Sequence, residues 1–592
     1  MRGEPSIVSD FSVIAVGVMF IALLTVLGVR LHEVQMESSS DLKYLGSRQS
    51  VRRVQTAGIR GRILDRNGTV LADNRGCATI VLNPEDFQRR SWDMTAEAIS
   101  NAIVRAGDVI GRGDMPDMKS IRRHISQRLA MPMAVWRDID FTQLSRFAEN
   151  EDLLPGFRCV TTAERVYPQG MFAAHVLGYV GRDETPGDAG DERFHFRDKE
   201  MKGRAGIEYH YDEFLRGVPG EKRLVVDARG FTHGETTLVE PRRGPDLKLT
   251  LDVKVQRAVE RQLRGVRGAC AVIDPRNGEV LALASSPQYD PNSFVPILRH
   301  ELYRRHVEDP AMPLLNRAVA GAYAPGSIFK PVVALAGLRS GYPEDRECEC
   351  TGVVEIGNMR LHCARRWGHG DIGLRHAIMQ SCNPFFVNLG MDIGTNSVLG
   401  AARDFALGRK TGIDLDAERA GVVPDDEWKR NTYNEPWYSG DLAQISIGQG
   451  MLLATPLQMA RVTGAIATGY LTVPHLRAGA SVEKTPVPFS GHDLAIVRKV
   501  MEMVVNGSGR VAGTGRRGGE GVAVRVAGKT GTAEVGSRAQ RRKNAWFAAY
   551  APADNPTVAV AMIVENGVSG GETAAPRVCE VLKAIFGERN DG

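Results

Sequence analysis

The sequence predicts a multidomain α+β protein. It would have an N-terminal transmembrane helix, a β-rich middle portion, and a C-terminal domain with a five-stranded antiparallel sheet flanked by helices. Three observations carry that prediction. Phe11 to Val29 holds no charged residue and lies between Asp10 and Arg30. Ala269 to Ile273 and Glu279 to Ala284 are strand-like and flank a turn ending in Asn277-Gly278. Three further strand patterns, Gly521 to Val535, Ala545 to Tyr550 and Thr557 to Val564, come only after a long helical stretch. Early pair and late trio would form one sheet, bringing together residues far apart in the chain.

The 592 residues allow about four domain-sized units or fewer large ones. With 43% hydrophobic and 24% charged residues, such units can bury sizeable cores. The net charge of +5 is mild and comes with no basic stripe or nucleic-acid-binding motif, which argues against a dedicated nucleic-acid binder.

At ~1.5 Å per residue, a helix over 11–29 nearly spans a ~30 Å hydrocarbon core. The run exceeds the roughly 7–15 residues of a signal-peptide core, and no A-x-A-like site follows. It reads as a retained single-pass anchor preceded by a cytoplasmic tail, residues 1–10. Only Arg2 precedes the span, whereas Arg30, Lys43, Arg48, Arg52 and Arg53 follow it. That bias alone would keep the body inside, but long domains translocate largely regardless of charge, and the chemistry below points outward. No second apolar run reaches spanning length.

The middle portion is mixed and loop-rich. Arg60 to Leu71 reads as a strand, an Asn67-Gly68 turn and a returning strand. Its histidines and acids are dispersed, without ligand or dyad spacing, so this half reads as a platform without chemistry. In the second half an amphipathic run covers Lys254 to Leu263. The loop Ser537 to Asn544, with Arg538, Arg541, Arg542 and Lys543, reads as a solvated basic turn.

The chemistry concentrates in three short motifs. In Ala324-Pro325-Gly326-Ser327-Ile328-Phe329-Lys330, Ser327 and Lys330 fall one turn apart on one helix face. A serine hydroxyl needs a neighbour to take its proton, and lysine can do so once burial lowers its pKa. Pro325-Gly326 places Ser327 near a helix start, where backbone N–H groups favour an oxyanion. Downstream come Ser381-Cys382-Asn383 and Lys529-Thr530-Gly531-Thr532. The order S-x-x-K, S-x-N, K-T-G is that of serine β-lactamases and penicillin-binding proteins, and is far more specific than any single motif.

With the Arg60 to Gly68 stretch, the Gly448-Gln449-Gly450 turn and Thr455-Pro456-Leu457-Gln458-Met459-Ala460, the chain resembles a class B penicillin-binding protein over nearly its whole length. That resemblance implies a pedestal (dimerisation-type) domain at 30–243, a penicillin-binding transpeptidase domain at 244–585 and a tail at 586–592. It implies a peptidoglycan D,D-transpeptidase in which Ser327 attacks between the terminal D-alanines of a stem peptide and Lys330 takes the proton. Ser381 and Asn383 would relay the leaving-group proton and hold the substrate amide. Lys529 would supply positive potential, Thr530 and Thr532 would bind the terminal carboxylate, and the N–H groups of Ser327 and Thr532 would form the oxyanion hole. β-Lactams should acylate Ser327. The substrate lies outside the cytoplasmic membrane, so the body of the chain is expected on the outer, periplasmic side.

Four of the eight cysteines, Cys77, Cys159, Cys270 and Cys579, are scattered and read as buried hydrophobes. Cys348, Cys350, Cys363 and Cys382 cluster around His369. Thiolates with one imidazole would suit a structural zinc; a disulfide such as Cys348–Cys363 is the alternative in an exported compartment. Elongation-type relatives hold a metal at positions matching Cys348, Cys363, His369 and Cys382, often with Asp at the first two, and Cys350 could replace Cys348. No cofactor is implied for catalysis itself. His369-Gly370, Asn383-Pro384-Phe385-Phe386 and Thr411-Gly412-Ile413-Asp414-Leu415 resemble the elongation branch. That branch implies a polytopic glycosyltransferase partner of the shape, elongation, division and sporulation family. A septal division transpeptidase, a D,D-carboxypeptidase and a β-lactam-sensing receptor are the alternative readings.

Overall fold

The computed structural model describes residues 10–33, 35, 50–182, 194–198, 200–227, 231–295, 300–507, 512–536 and 542–589. Asp10–His32 forms one helix whose apolar side chains are exposed all round. A helix apolar on every face has no soluble core to join, and Phe11–His32 is long and apolar enough to cross a membrane.

The middle portion is built on two sheets. Ile63–Leu64 pairs antiparallel with Val70–Leu82 across the expected turn, which Asp65 Oδ1 closes by accepting from the backbone N–H groups of Asn67 and Thr69. Val70–Leu82 also pairs with Met133–Trp136 and with Phe157–Val166. The second sheet joins Val51–Thr56, Gly220–Val226, Thr232–Val239 and Phe196–Arg197. Three helices not foreseen in the sequence, Trp92–Ile110, Met118–Arg128 and Phe141–Glu149, pack over the first sheet around Trp136 and Phe157. Elsewhere in the middle portion, buried Glu208 takes Arg60 at 2.6 Å and Arg165 at 2.7 Å, and Arg60 also reaches Asp212 at 2.6 Å.

The C-terminal domain carries the expected five-stranded antiparallel sheet: β1 (Gly268–Ile273), β2 (Val280–Ser286), β3 (Ala527–Val535), β4 (Arg542–Ala551) and β5 (Val558–Val564). Their spatial order is β2-β1-β5-β4-β3, so the early hairpin joins the late strands through β1 and β5. Strand β3 begins at Ala527, six residues later than the sequence pattern suggests. Val522 instead bridges Glu588, and Arg525 gives its carbonyl to the N–H of Ala553. Of the basic stretch 537–544, Arg538 and Arg541 lie outside the described residues, while Arg542 and Lys543 begin β4. Helices α1 (Val253–Leu263), α2 (Lys330–Arg339), α3 (Asn383–Asp404), α4 (Pro456–Thr468), α5 (Gly491–Asn506) and α6 (Ala575–Phe586) cover both faces. Asp252 caps α1 by accepting from the Lys254 and Val255 N–H groups. One continuous apolar core runs from Ile63, Leu71 and Tyr167 of the middle portion to Phe329, Phe386 and Trp546.

Candidate active site

Ser327 sits in a single 3₁₀ turn, Gly326–Phe329, that runs directly into α2. Lys330 therefore opens α2, directly after that turn. Glycine holds the turn in place on two sides. Gly326 adopts φ +57°, and its N–H donates to the Gly448 carbonyl at 2.7 Å. A Cβ at Gly326 would stand 2.8 Å from the Thr532 carbonyl oxygen, so a larger residue would push the turn away from β3. The Trp546 indole, on β4, donates to the Ala324 carbonyl at 3.0 Å and pins the approach to the turn. Ser327 is half-buried, and no hydrogen bond among the described residues involves its hydroxyl.

Ser381 and Asn383 occupy the junction where one helix ends and α3 begins. The Cys382 N–H closes the preceding helix on the Ala377 carbonyl, and Pro384 at the first turn of α3 suits a helix start. Between them Ser381 takes φ +59°, an uncommon state for a residue with a Cβ, and this turns its hydroxyl toward two lysines. Lys529 Nζ donates to Ser381 Oγ at 3.0 Å. Lys330 Nζ donates to the Ser381 carbonyl and to Asn383 Oδ1, each at 2.7 Å, and lies 3.3 Å from Ser381 Oγ.

Both lysines are fully buried. Burial pushes the Lys330 ammonium down to about 7, winning over the nearby Cys382 and Cys363 thiols, which favour its charged form. Burial, and then the charge of Lys330, push Lys529 well down as well. Neutral amine is thus within reach near neutral pH, as a proton acceptor requires.

Thr530, Gly531 and Thr532 line the adjoining edge of the sheet. A Cβ at Gly531 would lie 3.0 Å from Ile328 Cγ2 and from the Pro325 carbonyl, so glycine lets β3 close against the Ser327 turn. The Thr532 carbonyl accepts from Gln449 Nε2 at 3.2 Å, and its hydroxyl accepts from the Gly570 N–H at 3.3 Å. Gln449 had a motif in the sequence but no assigned role; its contact depends on a loop nearly eighty residues from β3.

The cysteine cluster differs from expectation at one position. Cys350, Cys363, His369 and Cys382 bring one donor atom each to within 4.8 Å of one another. The Cys350 and Cys363 sulfurs each stand 3.5 Å from His369 Nδ1. Cys348, expected in the set, lies apart, and its sulfur accepts from Asn388 Nδ2 at 3.2 Å. Strand register explains this: Cys350 pairs with Gly370, beside His369, whereas Cys348 pairs with Ile372, two residues along. All eight cysteines are free thiols, so the Cys348–Cys363 disulfide is absent. Asn383 is gripped from both sides of this cluster. It follows Cys382, and its Nδ2 donates to the carbonyl of His362, the neighbour of Cys363, at 2.7 Å.

The chain is similar to known proteins over nearly its whole length. The penicillin-binding protein transpeptidase domain matches residues 268–586, and the penicillin-binding protein dimerisation domain matches 55–249. The peptidoglycan D,D-transpeptidase MrdA of Acinetobacter baumannii is 35% identical over 97% of this chain and 86% of its own. Penicillin-binding protein PBP2 of Helicobacter pylori, solved in complex with MreC, superposes with a TM-score of 0.77 at 28% identity, covering 90% of this chain and 99% of that one. A chain solved in a peptidoglycan synthase complex, described as coordinating polymerization and crosslinking, gives 0.71 at 28% identity over 98% and 99%.

Proposed function

Because the chain belongs to the penicillin-binding protein transpeptidase family, we propose that Ser327 is the nucleophile of an elongation-type peptidoglycan D,D-transpeptidase. The observation that supports this best is the meeting of two buried lysine amines on the Ser381 hydroxyl, next to the glycine-clamped turn of Ser327. Ser327 Oγ attacks the carbonyl carbon of the penultimate D-alanine of a donor stem peptide, and neutral Lys330 takes the hydroxyl proton. The bond to the terminal D-alanine breaks, and its amine receives a proton through Ser381. An ester to Ser327 remains. An amine of a neighbouring stem peptide attacks that ester, a new peptide bond forms, and a proton returns to Ser327 Oγ.

Asn383 orients Lys330 and the substrate amide. Thr530 and Thr532 receive the terminal carboxylate, whose negative charge favours the protonated form of buried Lys529 beside it. The N–H groups of Ser327 and Thr532 form the oxyanion hole; loss of one such donor typically costs ~10²–10³ in rate. β-Lactams enter by the same attack and stop at the ester.

The donor set Cys350, Cys363, His369 and Cys382 fits zinc. Sulfurs about 2.3 Å from a tetrahedral ion lie about 3.8 Å apart, compatible with the spread seen here. Bound there, zinc would hold the fold without entering the reaction, and of its four ligands Cys382 and Cys363 adjoin the residues that position Asn383. The same reading takes the pedestal as 30–243 and the transpeptidase domain as 244–585, with the bulk of the chain outside the cytoplasmic membrane. Its partner class is a polytopic glycosyltransferase met through the anchor and pedestal. The test is to give the protein a stem-peptide thioester with a D-amino acid and measure transfer against hydrolysis. Transfer in excess is expected; hydrolysis alone would make it a carboxypeptidase.

A further inference from the structure

Beside the carboxylate-binding threonines stands a hydroxyl that no motif contains. Thr514 Oγ1 and Thr530 Oγ1 lie 2.7 Å apart, and the bond can run in either direction. Thr514 belongs to neither β3 nor β4, yet its position is firmly set. The loop around it packs at its glycines. A Cβ at Gly513 would meet the Val504 carbonyl at 2.1 Å, and one at Gly518 would meet Phe547 Cζ at 2.3 Å. The N–H of Gly515 donates to the same Val504 carbonyl at 3.0 Å. On its other side, a Cβ at Gly571 would lie 2.6 Å from the Thr514 carbonyl and 3.9 Å from Thr530 Cγ2. Thr514 thus fills the space between β3 and the Gly570–Ala574 turn. It is exposed there, while Thr530 is buried.

We propose that Thr514 is a positioning residue that orients the Thr530 hydroxyl toward the carboxylate of the substrate. This rests on the carboxylate role of Thr530 given above. A carboxylate only accepts hydrogen bonds, so Thr530 must donate to it. Once it does, its oxygen is free to accept, and Thr514 is the donor placed to fill that lone pair. The bound anion fixes the direction of the chain as Thr514 to Thr530 to carboxylate, and each bond polarises the next. Without Thr514 the Thr530 hydroxyl has no fixed partner and rotates among staggered wells.

The test uses full-length protein with Thr514→Val, Thr514→Ser and Thr530→Val, acylated by a stem-peptide thioester ending in a free carboxylate or in its methyl ester. Thr514→Val should raise KM for the carboxylate substrate about five- to tenfold with kcat little changed, the scale of one hydrogen bond. Thr514→Ser should restore it, and the methyl ester should show no difference between the three Thr514 forms. An equal loss on both substrates, or no loss on either, overturns the assignment of Thr514. If Thr530→Val also treats the two substrates alike, the carboxylate reading itself falls and this inference falls with it.

Discussion

At the scale of single residues, the site depends on how burial treats Lys330. Its ammonium is held near 7, against the ordinary value of 10.5, because burial disfavours the charged form. The neutral form is the proton acceptor, so acylation by a β-lactam should rise as pH climbs through about 7 and then level off. Stopped-flow acylation rates between pH 5.5 and 9 check this; a rate flat across that window would remove Lys330 from the role. The cysteines give a second prediction. Chelation should remove one zinc per chain by elemental analysis and slow acylation of Ser327, because Cys382 and Cys363 flank the groups that hold Asn383. Zinc-free protein that acylates at an unchanged rate would contradict the proposal. Ser327, Lys330, Ser381 and Lys529 were legible as residues because short spacings encode them. Cys350 was not separable from Cys348, since only the pairing of its strand with Gly370–Gly373 decides which thiol faces His369.

At the scale of elements, turns and glycines position the nucleophile. Gly448 adopts φ +72°, and a Cβ there would stand 2.0 Å from the Gly326 carbonyl oxygen. Gly448→Ala should therefore cost about 2–5 kcal/mol from left-handed strain and overpacking together, and displace the Ser327 turn. Gly479 has a similar φ of +76° with nothing within 4 Å of its Cβ position, so Gly479→Ala should leave acylation intact. Melting temperature and acylation rate of the two variants separate the clash from the backbone term. The five strands of the C-terminal sheet were legible from short apolar runs bounded by turn signals. The helices of the pedestal were written there too. In Trp92–Ile110 the buried positions Ala96, Ile99, Ala102, Ile103, Ala106 and Ile110 follow helical spacing behind a Ser91 cap. Charged residues between them break up the apolar run, and they were passed over.

At the scale of the whole molecule, the fold brings Lys330, Ser381 and Lys529 from three distant parts of the chain into hydrogen-bond contact, with the Ser327 turn packed against β3. The sequence could announce that convergence only through the order of its motifs, because no local signal shows that β1 lies beside β5. The continuous core from Ile63 to Trp546 keeps pedestal and sheet as one packed body. The most direct measurement is to label the full-length protein with radioactive penicillin and map the modified peptide. The label is expected as an ester on Ser327, lost in Ser327→Ala. Label on any other residue, or labelling that survives that substitution, would contradict the account.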